Sequence, residues 1–232
     1  MVIIKGLQKT CLIDFEPYIS AVVFLGGCNF RCGYCHNPEL VLNSNNIEEI
    51  SEEDFFSFLD ERRKWLDGVC ISGGEPTIHK DLIQFINKIK EKGLLVKLDT
   101  NGYNSDLIKK LIELKLIDYI AMDIKTKLEN YNEFCGVKVD ISKIKESISI
   151  IKNCGIDYEF RTTAIPLFVT NEDIVSIGKF LKGSKKYVIQ NFSPREDMIE
   201  ARFKNVRPYK KEELEKMKDS VKGFFDEVIV KT

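Results

Sequence analysis

The feature that most constrains the fold is a regular alternation of short strand-like runs with longer amphipathic segments, which begins at Ala21. In the segments between the runs, apolar residues recur at the spacing of a helix, as between Leu82 and Ile89. Such alternation predicts consecutive βα units with a parallel sheet. Six runs are rich in Val, Ile, Leu, Phe or Tyr, which favour strands; they cover residues 21–25, 68–72, 94–99, 119–123, 158–163 and 187–191.

The chain length limits how far this pattern extends. Six units of about 30 residues each account for most of the 232 residues, which leaves too few for the eight units of a complete barrel or for an appended domain. No repeat, low-complexity stretch or Gly/Ser-rich linker divides the chain. We therefore predict an α/β fold, a partial and open (β/α)6 TIM-like barrel formed by residues 1–232 as a single domain. A helix over residues 210–222 and a strand over 228–230 are expected to end it.

The charge balance excludes two classes of partner. Thirty-five basic and 36 acidic residues leave a formal net charge of -1, which offers no electrostatic footprint for nucleic acid or for an anionic membrane. No segment approaches the roughly 18 uncharged apolar residues of a membrane span, and the apolar run at the start is too short for a signal peptide. We predict a cytoplasmic protein that binds neither nucleic acid nor membrane.

Three of the seven cysteines lie close together in the sequence. Cys28, Cys32 and Cys35 follow the first predicted strand, with two glycines before them. An odd number of cysteines without an export signal favours a metal site over disulfides. A four-iron cluster normally takes four thiolates, so a loop with three leaves one iron open to another ligand. The scattered cysteines are interpreted as buried small hydrophobes: Cys11, Cys70, Cys135 and Cys154.

A zinc site is the alternative interpretation of this loop, with His36 as the fourth ligand. Structural zinc sites usually take paired ligands from two separated elements. The chain has no second group of cysteines, which favours the iron-sulfur interpretation and argues against an additional cluster.

Polar residues also follow the ends of the other predicted strands. The active site of a parallel (β/α) fold lies at the carboxyl ends of its strands, so these positions are candidates for function. A turn, an ion pair or a helix cap would explain each of them separately. They are Gly73, Gly74 and Glu75 after the second strand, Asp99 at the third, Asp123 and Lys125 at the fourth, Arg161 on the fifth and Gln190 on the sixth.

Residues 28–35 resemble the signature of the radical S-adenosylmethionine (SAM) superfamily, Cys-x3-Cys-x-aromatic-Cys, with Tyr34 as the aromatic residue. The resemblance implies that the three cysteines hold a [4Fe-4S] cluster whose open iron is chelated by the amino and carboxylate groups of SAM. It also implies that an electron from the reduced cluster cleaves SAM to methionine and a 5'-deoxyadenosyl radical, which abstracts a hydrogen atom from the substrate.

The same resemblance implies roles for the polar strand ends. Ser72-Gly73-Gly74-Glu75-Pro76 is similar to the motif that hydrogen-bonds the amino group of the methionine moiety, and Asp99 is implied to face that amino group. Tyr34 is implied to border the cofactor.

At the other end of the methionine moiety, Lys125 is implied to pair with the carboxylate and Asp123 to help hold a monovalent cation. Arg161 is implied to contact the carboxylate or the ribose, and Gln190 to lie near the ribose.

Within the superfamily, the chain resembles the glycyl-radical enzyme activases. It looks like the longer form of the anaerobic ribonucleoside-triphosphate reductase activating proteins, relatives of the pyruvate formate-lyase activating enzyme. The resemblance runs through Ile4-Lys5-Gly6-Leu7-Gln8-Lys9-Thr10, Leu12-Ile13-Asp14, the cysteine loop and Asn132-Glu133-Phe134-Cys135-Gly136-Val137. It implies a glycyl-radical enzyme as partner, with anaerobic ribonucleotide reductase expected, and a low-potential electron donor such as flavodoxin or ferredoxin.

One segment departs from the activase pattern: Phe15-Glu16-Pro17-Tyr18 stands where these proteins usually carry Pro-Gly. We expect this segment near the peptide substrate, so it bears on which substrate is used. Two alternatives stay open. One is a radical SAM enzyme acting on a small molecule, similar to 7-carboxy-7-deazaguanine synthase; the other is a non-catalytic iron-sulfur or zinc module.

Overall fold

The computed structural model describes residues 1–232 and contains eight strands. The six predicted strands are confirmed to within a few residues at their ends. Two strands flank them: an amino-terminal strand that the pattern did not predict, and a longer form of the predicted final strand. The strands are β1 (Ile4–Cys11), β2 (Ser20–Leu25), β3 (Gly68–Gly73), β4 (Leu95–Thr100), β5 (Tyr119–Asp123), β6 (Asp157–Ala164), β7 (Ser184–Asn191) and β8 (Phe225–Lys231).

The strands form one sheet in the order of the sequence, from β1 to β8, and the two end strands are not paired with each other. β2, β3 and β4 pair in parallel, as do β6, β7 and β8, whereas β1 runs antiparallel to β2. The predicted fold class, α/β with an open and partial (β/α) sheet, is confirmed.

Helices connect the strands and cover their apolar faces. Ser51 begins the second helix, where its hydroxyl accepts a hydrogen bond from the Asp54 amide. The predicted final helix is confirmed with its ends one residue inside the expected limits. The α-helices are α1 (Pro38–Leu42), α2 (Glu52–Arg62), α3 (Leu82–Glu91), α4 (Ser105–Glu113), α5 (Tyr131–Cys135), α6 (Ile141–Lys152), α7 (Asn171–Phe180) and α8 (Lys211–Val221). None is long and apolar enough to cross a bilayer.

The chain divides into two compact units. The first consists of Met1–Asn29, Asn37–Thr100 and Asn104–Ile120, and the second of Phe30–His36, Asn101–Tyr103 and Ala121–Thr232. β1 to β4 belong to the first unit and β6 to β8 to the second, and each unit has its own buried apolar core. That residues 1–232 form a single domain stays a prediction.

The segment Phe15-Glu16-Pro17-Tyr18 lies at the amino end of β2, because β1 and β2 pair Cys11 with Ser20 on either side of it. Phe15 is buried and packs edge-on against Tyr18, with ring centroids 5.1 Å apart, and against Tyr119 at 6.0 Å. This edge of β2 is opposite to its carboxyl end, where Cys28 follows. Of the four residues only Phe15 packs into the core, whereas Glu16, Pro17 and Tyr18 are exposed. That this segment lies near the peptide substrate stays a prediction.

Candidate functional site

The start of the cysteine loop interlocks with the Gly-Gly-Glu segment after β3. The Gly74 amide donates to the Leu25 carbonyl at 2.9 Å, and the Glu75 amide donates to the Gly27 carbonyl at 2.9 Å. A Cβ on Gly74 would lie 1.9 Å from that Gly27 oxygen. The close approach that these glycines allow is thus to the backbone that leads into Cys28, and it fixes where the loop begins.

Cys32 and Cys35 lie in a turn of the second unit. The Cys35 amide donates to the Cys32 carbonyl at 3.0 Å, and the Arg31 amide donates to the Cys135 carbonyl at 2.7 Å. A hydrogen bond with the Cys135 thiol lowers the pKa of the Cys32 thiol, with a further contribution from Lys125 and against the effect of burial. Cys135 is fully buried, as expected, but the sequence did not predict that it would contact Cys32.

Tyr34, the aromatic residue between these two cysteines, is buried in an aromatic cluster. Its ring contacts Phe134 and Phe203 edge-on, with centroids 5.8 and 5.7 Å away. Burial raises the pKa of the Tyr34 hydroxyl well above its usual value. The ring therefore anchors the cysteine turn to the core of its unit.

His36, the candidate fourth zinc ligand, is engaged with the backbone: its Nε2 lies 3.1 Å from the Ser193 carbonyl oxygen, to which it donates in the matching tautomer. Neither unit by itself gathers three His, Cys, Asp or Glu side chains into a metal-binding group. Cys28 belongs to the first unit, and Cys32 and Cys35 to the second.

Glu75 is a buried carboxylate that ties the end of β3 to the end of β4. Its Oε1 accepts hydrogen bonds from the Thr77 amide at 3.0 Å, the Thr77 hydroxyl at 2.5 Å and the Thr100 hydroxyl at 2.8 Å. The side chain is 1% exposed. These bonds hold its negative charge in a fixed position at the carboxyl end of the strands.

Asp99 lies on β4, directly before Thr100, which donates to Glu75. Residues of the first unit also contact Asp99. Its Oδ2 accepts from the Ser72 hydroxyl at 3.2 Å, and its Oδ1 lies 3.6 Å from the ammonium of Lys97. Sequence reasoning missed Lys97. The signal available was a charged residue within the otherwise apolar run Leu94-Leu95-Val96-Lys97-Leu98.

Three charged residues meet in the second unit, as the sequence predicted in part. Asp123 accepts from Arg161 Nε at 2.8 Å through Oδ1 and from Lys125 Nζ at 3.0 Å through Oδ2. Burial acts to raise the pKa of Asp123, but Arg161 and Lys125 outweigh it and hold the pKa at about 2. Burial likewise acts to lower the pKa of Lys125, and the Asp123 carboxylate raises it well above its usual value. All three groups are therefore charged at neutral pH, with one positive charge in excess.

Gln190 lies one residue before the end of β7, partly buried, and pairs in register with Thr163 of β6. β6 also carries Arg161, two residues before Thr163 and hence on the same face of that strand. The side chains of Arg161 and Thr163 thus point to the same side of the sheet.

Comparisons with known proteins identify the family. The model of the Radical SAM superfamily matches residues 22–181. A protein of Methanocaldococcus jannaschii named "Putative glycyl-radical enzyme activating enzyme" is 37% identical over an alignment of 238 residues, gaps included. The alignment covers 99% of this chain and 96% of that one. The pyruvate formate-lyase-activating enzyme of Clostridium pasteurianum is 28% identical over 77% of this chain and 76% of its own length.

Solved structures agree on the fold. A domain of a pyruvate-formate lyase-activating enzyme from Bacteroides vulgatus matches with a TM-score of 0.56 and 16% identity, over 71% of this chain and 99% of that one. SuiB of Streptococcus suis, solved with S-adenosylmethionine bound, matches with a TM-score of 0.67 and 16% identity over 89% of this chain. The chain spans 48% of SuiB.

The cysteine spacing, the open α/β sheet and these relatives lead to one conclusion. The chain is an enzyme of the radical SAM superfamily, and within it belongs to the family of the glycyl-radical enzyme activating enzymes.

Proposed function

We propose that this enzyme reductively cleaves SAM at a [4Fe-4S] cluster and generates a glycyl radical on anaerobic ribonucleoside-triphosphate reductase. The observation that carries the proposal is the 37% identity to an activating enzyme over 99% of the chain, with Cys28, Cys32 and Cys35 at the spacing of the superfamily signature.

The donor set fits the cluster. Iron-sulfur clusters take thiolate ligands, ligands must be deprotonated to bind metal, and Cys32 has a lowered pKa. We assign the three cysteines of the loop as ligands, which leaves one iron for SAM. When bound, the cluster and SAM together supply the electron transfer and the oxidant that removes a hydrogen atom from glycine.

The charged groups of each unit suit one end of the methionine moiety of SAM, which carries an ammonium and a carboxylate. In the first unit, the carboxylates of Glu75 and Asp99 outnumber the ammonium of Lys97, and we assign them, with the backbone of Gly73 and Gly74, to the amino group. In the second, Lys125 and Arg161 outnumber Asp123, and we assign them to the carboxylate. We assign Gln190 to the ribose. We assign Tyr34 to the border of the cofactor site, where its ring holds the cysteine turn in place.

We also propose a monovalent cation near Asp123. The two carboxylate oxygens of Asp123 bond to Arg161 and Lys125, so the cation would share this carboxylate with them.

The cluster assignment is tested by iron analysis of protein reconstituted under anaerobic conditions. We expect about four irons per chain with the spectrum of one cubane cluster. Cys32→Ala should lose the cluster and Cys154→Ala should keep it, because Cys154 lies outside the loop. Tightly bound zinc without iron-sulfur absorption would contradict the assignment.

The substrate assignment is tested with the reductase from the same organism. Reduced enzyme, with flavodoxin or ferredoxin as the proposed electron donor or dithionite in its place, is mixed with SAM and the reductase. We expect a doublet glycyl-radical signal by electron paramagnetic resonance, and its loss when the radical-bearing glycine is replaced by alanine. SAM cleavage without such a signal would reject this substrate and favour a small-molecule substrate.

A further inference from the structure

A buried lysine lies on a strand of the first unit, two residues before Asp99, the carboxylate that we assign to the cofactor. Lys97 lies on β4 opposite Cys70 of β3 and is 4% exposed. An ammonium taken out of water loses its hydration, and this loss destabilises the fold unless other charges and hydrogen bonds offset it. Its surroundings must therefore stabilise its charge.

Three groups surround the Lys97 ammonium in the first unit. It donates to the backbone carbonyl of Asp14, lies 5.4 Å from the centre of the Tyr119 ring, and lies 3.6 Å from Asp99 Oδ1. Of these, only Asp99 carries a formal charge. Lys97 and Asp99 are two residues apart on one strand, so their side chains point to the same face of the sheet.

The two oxygens of Asp99 thus face different groups. Lys97 approaches Oδ1, and the Ser72 hydroxyl donates to Oδ2 at 3.2 Å. Ser72 sits on the neighbouring strand, directly before the Gly-Gly-Glu segment. These contacts fix the position of the carboxylate.

We propose that Lys97 is a positioning residue for SAM: it holds the Asp99 carboxylate oriented toward the amino group of the methionine moiety. The role rests on the proposed function, in which Asp99 faces that amino group. Lys97 is enclosed and acts through Asp99, so its removal should weaken SAM binding only where Asp99 is present.

The test is a double-mutant cycle with SAM affinity as the readout, measured by calorimetry on anaerobically reconstituted protein of equal iron content. Because residues in contact are energetically coupled, we expect Lys97→Met to weaken SAM binding roughly tenfold. Asp99→Asn should weaken it at least as much, and adding Lys97→Met to Asp99→Asn should change it less than about twofold. Lys97→Arg, which keeps the cation, should recover most of the affinity.

A second readout separates positioning from a purely structural role. The wild-type enzyme should prefer SAM over its analogue without the amino group, and Lys97→Met should reduce that preference. Lys186→Met is the matched control, because Lys186 is also a strand lysine paired with a buried carboxylate, Glu159 Oε2 at 3.8 Å. It should leave the preference unchanged.

The outcomes distinguish this inference from the proposed function. If Asp99→Asn weakens SAM binding but Lys97→Met does not, or if the two effects simply add, the positioning role is overturned and the proposed function stands. If Asp99→Asn leaves SAM affinity unchanged, Asp99 is removed from the cofactor site and the inference falls with that assignment. If Lys97→Met does not fold, Lys97→Gln replaces it, because its amide can still donate to the Asp14 carbonyl without a charge.

Discussion

The charged groups of the two units are built in opposite ways. In the first unit, Glu75 is held by hydroxyl and amide donors of two threonines, and Asp99 by a serine and one lysine. In the second, Asp123 is clamped between two cations, which hold its pKa at about 2. One group therefore carries excess negative charge and the other excess positive charge.

The difference lies in the charge that each group leaves available to a ligand. A carboxylate fixed by neutral donors keeps its attraction for an ammonium, whereas a carboxylate neutralised by two cations serves mainly to hold those cations in place. We therefore interpret Asp123 as the element that positions Lys125 and Arg161, and Glu75 and Asp99 as the charges that a cofactor amino group would meet.

The largest expected effect comes from removing a cation of the second unit. Lys125→Met should weaken SAM binding roughly 10- to 150-fold, because a hydrogen bond to a charged group contributes about 1.5 to 3 kcal/mol. It should also reduce the preference for SAM over decarboxylated SAM, because only Arg161 would remain to meet the carboxylate; both affinities are measured by calorimetry. Lys127→Met is the control, since Lys127 pairs with Asp173 instead. Equal losses in the two variants would break the assignment of Lys125 to the carboxylate.

The next effect concerns the stability of the clamp around Asp123. Its folded-state pKa of about 2 lies below the value of about 3.9 expected in the unfolded chain. The charged carboxylate therefore stabilises the fold above pH 4 by on the order of 2 to 3 kcal/mol, and this is lost as the pH falls from about 4 to 2. The free energy of unfolding, measured with urea, should be higher for the wild type than for Asp123→Asn. This difference should shrink by about half between pH 7 and pH 3. Asp157→Asn, which affects an exposed ion pair, should change little at either pH; a difference for Asp123→Asn that is independent of pH would contradict the clamp.

The smallest expected effect sharpens the role of Glu75. Glu75→Gln should lower the free energy of unfolding by about 1 to 2 kcal/mol, because it weakens the three hydrogen bonds that its Oε1 accepts. Thr100→Val, which removes only one donor, should cause a smaller loss by the same urea measurement. The free energy of SAM binding should also be measured for Glu75→Gln. If it falls by more than the free energy of unfolding does, Glu75 acts mainly on the cofactor.

The sequence predicted the strands that contain a buried apolar run. It missed β1, which has no such run. β2 to β7 are marked by β-branched and aromatic residues, but β1 carries Gly6 and polar residues that are largely exposed. Its strand structure comes from pairing with β2, a contact between distant residues that local pattern cannot reveal. The short helices α1 and α5 escaped notice because five residues show too little periodicity.

For the site, the parallel topology predicted which residues would lie at the carboxyl ends of strands, but not their partners. The contacts of Asp123 with Arg161 and of Glu75 with Thr100 depend on how neighbouring strands pack in three dimensions, which brings together residues that are far apart in the sequence. Lys97 was passed over because a strand lysine usually faces water, and only the structure shows that this one is enclosed.

The interlock between Gly74 and Gly27 has a consequence for metal uptake. The hydrogen bond from the Glu75 amide to the Gly27 carbonyl fixes the backbone next to Cys28 with protein contacts alone. The conformational entropy lost in ordering that end of the loop is thus lost when the polypeptide folds, rather than when iron binds. We expect the folded apoprotein to present Cys28 in a preorganised position, so that cluster assembly begins from a thiol whose backbone is already anchored.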